Sequence, residues 1–291
     1  MRIGTRGSRL ALIQAEWVAA RLAAPVEIVK ITTLGDRGAA IEDKSRWVSE
    51  LERALLDGRI DLAVHSAKDV PTELDPAFAL VAVPERADPH DAICGAPALE
   101  ALPAGARIGT SSVRRAAQIR AIRDDLEIVE LRGNVDTRLR KLAEGQAEAL
   151  VLALAGLQRL GREAEAGGVL AGLVPAAGQG ALALEARAGE LADEELAPVR
   201  DPLATACLEA ERTLVHALGA SCHTPVGAHA RPVVGTDRLE LKGWVGLPDG
   251  SRWLSDQVTA PAAEVGRLCA ERMLAAGAAA LLAEAERELV G

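Results

Sequence analysis

The α/β class is what this 291-residue chain predicts, on three observations. Short apolar or β-branched runs alternate with stretches whose apolar residues recur at helical spacing, the pattern of strand–helix units on a largely parallel sheet. The alternation restarts after a proline-bearing link, Pro84-Glu85-Arg86-Ala87-Asp88-Pro89, so two such units are expected. From Leu203 the order changes to one helix, three strands and a helical tail, a small α+β unit.

Taken in order, Arg2 to Thr5 reads as a short strand and Ser8 as a helix N-cap, with Leu10, Ile13, Trp17 and Leu22 as the apolar face that follows. Val26 to Thr33 is strand-like, Gly35 to Lys44 a polar loop, Ser45 to Leu56 a helix, and Ile60 to Val64 a buried strand, with Ala79 to Val83 another. The second series runs through strand Arg107–Gly109, a helix from Ser112, strand Glu127–Leu131, helix Val135–Ala143 and strand Ala149–Leu154. Val174 to Ala181 marks a second crossing, after which Leu182 to Glu185 returns as a strand to the first sheet. A helix from Leu203 to Leu218 opens the last unit. Strands near Val226–Ala230, Leu239–Val245 and Arg252–Val258 follow, then one long helix started by Pro261. The expected domains are residues 1–86 with 180–201, residues 87–179, and residues 202–291.

Composition narrows the function. The net charge of −9 repels nucleic-acid phosphates, and one Phe, four Trp and no Tyr leave almost nothing for base stacking. No apolar run is long enough to span a bilayer, and Met1-Arg2-Ile3-Gly4 leads into the first strand without a signal-peptide pattern, so neither nucleic acid nor membrane is expected as a partner and the location expected is cytoplasmic. Cys94, Cys207, Cys222 and Cys269 show neither a paired nor a metal-ligand spacing, so reduced thiols and no metal are expected, although His216 and His223 flank Cys222.

Against that acidic background arginines concentrate at turns and helix starts. Ser111-Ser112-Val113-Arg114-Arg115 and Leu131-Arg132-Gly133-Asn134 through Thr137-Arg138 are the densest cases. A lone surface arginine is usually just solvated, but a group of guanidinium forks beside helix N-termini suits a polyanionic organic acid. His65-Ser66-Ala67-Lys68-Asp69-Val70-Pro71 closes an apolar strand, where open α/β sheets place ligands. Asp69 there is either a catalytic carboxylate or an Asx turn before Pro71. Cys222 lies in the small-residue loop Gly219 to Gly227, an accessible setting for a nucleophile, while the other cysteines sit in apolar or helical contexts typical of core thiols.

These motifs carry a resemblance. Thr5-Arg6-Gly7-Ser8 with Leu10-Ala11, His65-Ser66 with Lys68-Asp69-Val70-Pro71, Gly109-Thr110-Ser111-Ser112 with Arg114-Arg115, Leu131-Arg132-Gly133-Asn134 with Thr137-Arg138, Ala155-Gly156-Leu157 with Arg159-Leu160, Gly178-Gln179-Gly180 and the Cys222 loop run in order along the chain. Together they resemble the porphobilinogen deaminase (hydroxymethylbilane synthase) family over essentially its whole length. The resemblance implies a fold of three domains, two periplasmic-binding-protein-like α/β domains around a cleft plus a small α+β C-terminal domain. It implies a transferase of tetrapyrrole (haem) biosynthesis that deaminates porphobilinogen and joins successive units head to tail into a linear tetrapyrrole. Growth would start from a dipyrromethane cofactor held through a thioether on Cys222.

By the same resemblance Asp69 would stabilise the positive pyrrole nitrogens and assist proton transfer. Lys68, Ser111, Ser112, Arg114, Arg115 and Arg132 would bind the cofactor, and Arg6, Ser8, Thr110, Arg138 and Arg159 the acetate and propionate arms of the substrate. Relatives have a longer, glycine-rich loop after the second strand; here Leu34 to Trp47 is shorter, with Lys44 and Arg46 as the charges that would face substrate. A monomer suffices. The rival classes are a solute-binding module of the same architecture and a cysteine-nucleophile hydrolase; Asp69, Cys222 and the third domain argue against the first, and the second would need His223 as a base.

Overall fold

The computed structural model describes residues 1–31, 45–191, 193–220 and 224–290, with the backbone alone at 45–47, 193 and 290. Strand β1 (Arg2–Arg6) leads into α1 (Arg9–Ala19), whose N-terminus is capped by the Ser8 hydroxyl accepting from the Ala11 amide at 3.3 Å. The buried stripe of α1 is Gln14, Ala15 and Val18, continued by Leu22, whereas Leu10, Ile13 and Trp17 are half-buried. Strand β2 (Glu27–Ile31), helix α2 (Ser45–Leu56), strand β3 (Leu62–Ser66) and strand β4 (Phe78–Ala82) complete the first pass. The loop anticipated at Gly35 to Lys44, and Thr32 and Thr33 before it, lie outside the described residues.

The chain then crosses to the second sheet. Strand β5 (Asp91–Cys94) is its first element, followed by β6 (Arg107–Gly109), α3 (Val113–Ile122), β7 (Glu127–Val129), α4 (Val135–Ala143), β8 (Ala149–Ala153), α5 (Leu154–Arg159) and β9 (Ala166–Val169). Strand β10 (Leu182–Arg187) returns to the first sheet, antiparallel to β3 and β4. The two strand orders match: β2-β1-β3-β10-β4 and β7-β6-β8-β5-β9. In each, three parallel strands are followed by the strand that has just crossed over, and the last strand lies outside it. These are two α/β units of matching topology. Their cores are aliphatic, with Ile3, Leu62 and Leu184 central in one and Ile93, Ile108 and Ile119 in the other. At the crossings the backbones nearly touch: a Cβ on Gly180, which has φ +87°, would lie 2.4 Å from the Ala87 carbonyl oxygen, so only glycine fits.

After α6 (Asp193–Leu196) the third unit packs α7 (Pro202–Ala217) on a meander of β11 (Val226–Pro232), β12 (Arg238–Gly246) and β13 (Trp253–Pro261). The single long helix expected from Pro261 is two, α8 (Ala262–Ala275) and α9 (Ala278–Val290). Gly277 at φ +100° reverses the backbone between them, a conformation that an Ala/Leu/Glu helix avoids and glycine permits. Cys207 and Cys269 belong to this core, and Cys94 to that of the second unit; burial pushes each thiol up to about 11, so none is a thiolate near neutral pH. Among the described residues no helix is long and apolar enough to cross a membrane.

A buried polar node joins the three units. Glu211 of α7 is fully buried and accepts from Arg86 Nη1 at 2.6 Å and Nη2 at 3.1 Å, from the Gly178 amide at 2.7 Å and from the Ala230 amide at 2.7 Å. Arg86 also donates through Nε to the Gln179 carbonyl at 2.9 Å. Removing one partner strands a buried charge, so Arg86→Leu is expected to destabilise the protein by about 3–5 kcal/mol. The double variant Arg86→Leu/Glu211→Leu should lose less than the two single variants combined. Thermal and denaturant unfolding measure both; an Arg86→Leu protein as stable as wild type would contradict the role.

Candidate active site at the strand C-termini

The residues singled out by their motifs gather at the C-terminal ends of parallel strands, the usual ligand edge of such sheets. Arg6 ends β1, and Lys68 and Asp69 lie on the 3-10 turn Ala67–Asp69 that follows β3. Thr110, Ser111 and Ser112 follow β6, Arg114 and Arg115 begin α3, and Arg138 and Arg159 lie on α4 and α5. Local sequence dictates this placement. Ser112 caps α3 by accepting from the Arg115 amide at 3.4 Å, and Asn134 caps α4 by accepting from the Thr137 amide at 2.9 Å, so both helices start where their arginines face the edge.

Gln179, 1% exposed, connects the sides of the cleft. Its Oε1 accepts from Lys68 Nζ at 3.4 Å and from Arg115 Nη2 at 3.3 Å, and its Nε2 donates to the Pro89 carbonyl at 2.7 Å and to Asp91 Oδ1 at 2.8 Å. Asp91 is the residue that sequence reasoning missed. Arg114 Nη1 donates to its Oδ2 at 2.8 Å and Arg115 Nε to its Oδ1 at 2.9 Å, all three side chains being buried. Arg114 also donates to the Val174 carbonyl at 2.7 Å and Arg115 to the Val151 carbonyl at 3.1 Å. These two arginines therefore grip a carboxylate of the protein itself. An aspartate heading the apolar run Asp91-Ala92-Ile93-Cys94 was the available signal, because a strand buries a charge only where partners wait.

Arg138 and Arg159 are placed differently. Burial depresses the Arg138 guanidinium to about 10, with the Arg115 charge lowering it further and the Asp69 charge opposing, and its buried Nε has no hydrogen-bond partner among the described residues. Burial brings Arg159 to about 10 as well; its Nη2 donates to the Gly180 carbonyl at 2.7 Å. Two half-dehydrated guanidiniums, one of them within reach of the Asp69 charge, fit a ligand bearing carboxylates, since an incoming carboxylate replaces the hydration that burial removed. Arg132 is exposed and donates to Glu130 Oε1 at 2.6 Å. Thr110 is buried, its Oγ1 accepting from the Ser112 amide at 3.1 Å, and Ser111 is exposed. Lys44 and Cys222 lie outside the described residues, as do the side chains of Arg46 and Trp47.

Burial alone would raise the Asp91 carboxyl, but the charges of Arg114 and Arg115 outweigh it and hold the group well below the usual carboxylate range. Its contribution to stability is thus complete above its unfolded value of about 3.9 and is lost as pH falls through the folded value. Asp91→Asn should be much less stable than wild type at pH 7, and the gap should narrow below about pH 4, where the unfolded wild-type chain takes up a proton that the folded carboxylate still refuses. Unfolding midpoints taken at several pH values measure this; a gap independent of pH would contradict it.

The family described as porphobilinogen deaminase, dipyromethane cofactor binding domain, matches residues 1–195, and the porphobilinogen deaminase C-terminal domain matches residues 205–275. The porphobilinogen deaminase of Roseiflexus castenholzii is 47% identical over 302 residues, covering 97% of this chain and 98% of that protein. That of Thiobacillus denitrificans is 46% identical over 300 residues, covering 97% of each. Among solved structures, a TRAP periplasmic solute binding protein from Desulfovibrio salexigens aligns at 13% identity and a TM-score of 0.39, over 68% of this chain and 69% of that one. On the matches to both domains and to relatives aligned over nearly the whole of each chain, the chain belongs to the porphobilinogen deaminase family.

Proposed function

We propose that this protein condenses four porphobilinogen units head to tail into the linear tetrapyrrole hydroxymethylbilane, releasing one ammonia per unit and taking up one water when the finished chain is cleaved from its primer, as a cytoplasmic monomer that engages neither nucleic acid nor membrane. The observation that carries the reading is the pair of half-dehydrated guanidiniums, Arg138 and Arg159, on the edge that holds Asp69. A dipyrromethane bound through the Cys222 sulfur would supply the primer on which the chain grows.

The residues divide the work. Arg138 and Arg159, with Arg6, Ser8 and Thr110, hold substrate carboxylates, and their fixed positions orient the aminomethyl carbon toward the free α-carbon of the preceding ring. Lys68, Ser111, Ser112, Arg114, Arg115 and Arg132 hold the acidic arms of the primer, Arg114 and Arg115 doing so with the donors that Asp91 leaves over. Lys44 and Arg46 add positive charge from the short loop. As ammonia leaves, positive charge builds on the substrate's pyrrole nitrogen, and the Asp69 carboxylate stabilises it by lying beside the charge as it develops. The proton displaced from the α-carbon of the accepting ring leaves by way of the same carboxylate.

Purified protein given porphobilinogen should release ammonia and a linear tetrapyrrole, and failure to release ammonia would refute the assignment. Asp69→Asn retains the shape and loses the charge, so single-turnover ammonia release should fall at least ~10²-fold. Asp69→Glu should lose less. Release near the wild-type rate in Asp69→Asn would reduce Asp69 to a turn residue before Pro71.

A further inference from the structure

The segment that carries Asp69 is short, irregular and held by a side chain from another unit. Its beginning is tied to the sheet by the Ala67 amide donating to the Ala181 carbonyl at 3.0 Å, and the turn closes on itself through the Val70 amide and the Ala67 carbonyl at 3.2 Å. Its exit is tied by Arg212 of α7, which donates from Nη1 to the Val70 carbonyl at 3.3 Å and from Nη2 to the carbonyls of Pro71 at 2.6 Å and Thr72 at 3.0 Å. Three consecutive carbonyls directly after Asp69 thus converge on one planar fork, which a lysine's single ammonium cannot reproduce. The apolar side of the turn is backed by the same helix, with Ala67 and Val70 packed against Ala204 and Leu208.

Successive residues of α7 do two jobs. Glu211 grips the crossings and Arg212, one position on and a third of a turn around the helix, grips the Asp69 loop. Burial lowers the basicity of Arg212 while the charge of Glu185 opposes that shift, so the guanidinium sits in a partly dehydrated niche with a carboxylate nearby. Helix α7 ends at Ala217, five positions before Cys222 in the chain.

We propose that Arg212 is a positioning residue for Asp69, holding the catalytic carboxylate at a set place relative to the third unit by clamping the carbonyls of Val70, Pro71 and Thr72. This deepens the functional reading above and rests on it. Arg212 touches no substrate; it acts through the loop. Because a misplacement of about 1 Å costs a catalytic group up to ~10²-fold, loss of the clamp should lower the rate of chemistry and leave substrate capture, which belongs to other arginines, nearly unchanged.

The test is a double-mutant cycle in holoenzyme, reading single-turnover ammonia release, KM and the bound dipyrromethane by intact mass, for wild type, Arg212→Leu, Asp69→Asn and the double variant. Arg212→Leu should slow release on the order of tenfold or more with KM little changed. The double variant should be no slower than Asp69→Asn alone, because a residue acting only through Asp69 has nothing left to position. Arg212→Lys, which keeps the charge and one carbonyl contact, should recover part of the rate and serves as the reading if the leucine variant does not accumulate. Wild-type release in both Arg212 variants, or losses that multiply in the double variant, would overturn the proposal. A wild-type protein that released no ammonia would instead refute the functional assignment beneath it.

Discussion

Glu211 lies fully buried on α7 and accepts hydrogen bonds from Arg86 in the first crossing, Gly178 in the second and Ala230 in the third sheet, so a single carboxylate ties all three units together. An ionised carboxylate out of contact with water is tolerated only when its lone pairs are filled, and here four donor contacts fill them. The tie passes onward through Gln179. Its carbonyl accepts from Arg86, and its side chain meets Lys68 from one side of the cleft and Arg115 and Asp91 from the other. Since the strands that cross between sheets, β5 and β10, emerge from these crossings, the node also sets where each sheet receives its fourth strand.

The electrostatics of the site follow from that frame. The chain is acidic overall, yet its strand ends collect arginines, of which Arg114 and Arg115 pair with the buried Asp91. Arg114 and Arg115 share Asp91, two positive charges on one negative, which leaves the floor of the site with a surplus positive charge, while burial lowers the basicity of Arg138 and Arg159 and the Asp69 charge reaches Arg138. Such a site favours an anionic ligand because binding relieves a desolvation that folding has already imposed. Asp69 is the exception in sign. In the reaction proposed above, its carboxylate is the group that would face the developing pyrrolic cation.

Much of this was legible in the chain. Ser8 and Ser112 cap α1 and α3 as their spacing predicts, and the strand–helix alternation gives both sheets, because these features depend on residues close in sequence. What escaped depends on distant partners. Strand β5 is four residues long and headed by an aspartate that only Arg114 and Arg115 make tolerable; β9 is the glycine-bearing edge segment Ala166-Gly167-Gly168-Val169, too weak a pattern to stand alone. Helix α5 is a six-residue turn directly after β8, where a continuous apolar run hides the change of period. The break at Gly277 is a backbone event inside an Ala/Leu-rich stretch that otherwise reads as one helix. In the site, the arginines were legible as a group but not their division of labour: that Arg114 and Arg115 hold Asp91, and that Arg132 stands exposed beside Glu130, required the fold.

The central claim is that the arginine-lined edge serves a polyacidic primer held covalently by the chain. Intact mass of the purified wild-type protein and of Cys222→Ser tests it most directly. The account predicts a wild-type mass that exceeds the bare polypeptide by a two-pyrrole adduct, and a Cys222→Ser protein at the bare mass, because a serine hydroxyl near neutral pH is too weak a nucleophile to form the bond. A wild-type protein at the bare mass, or a Cys222→Ser protein that still carries the adduct, would contradict it.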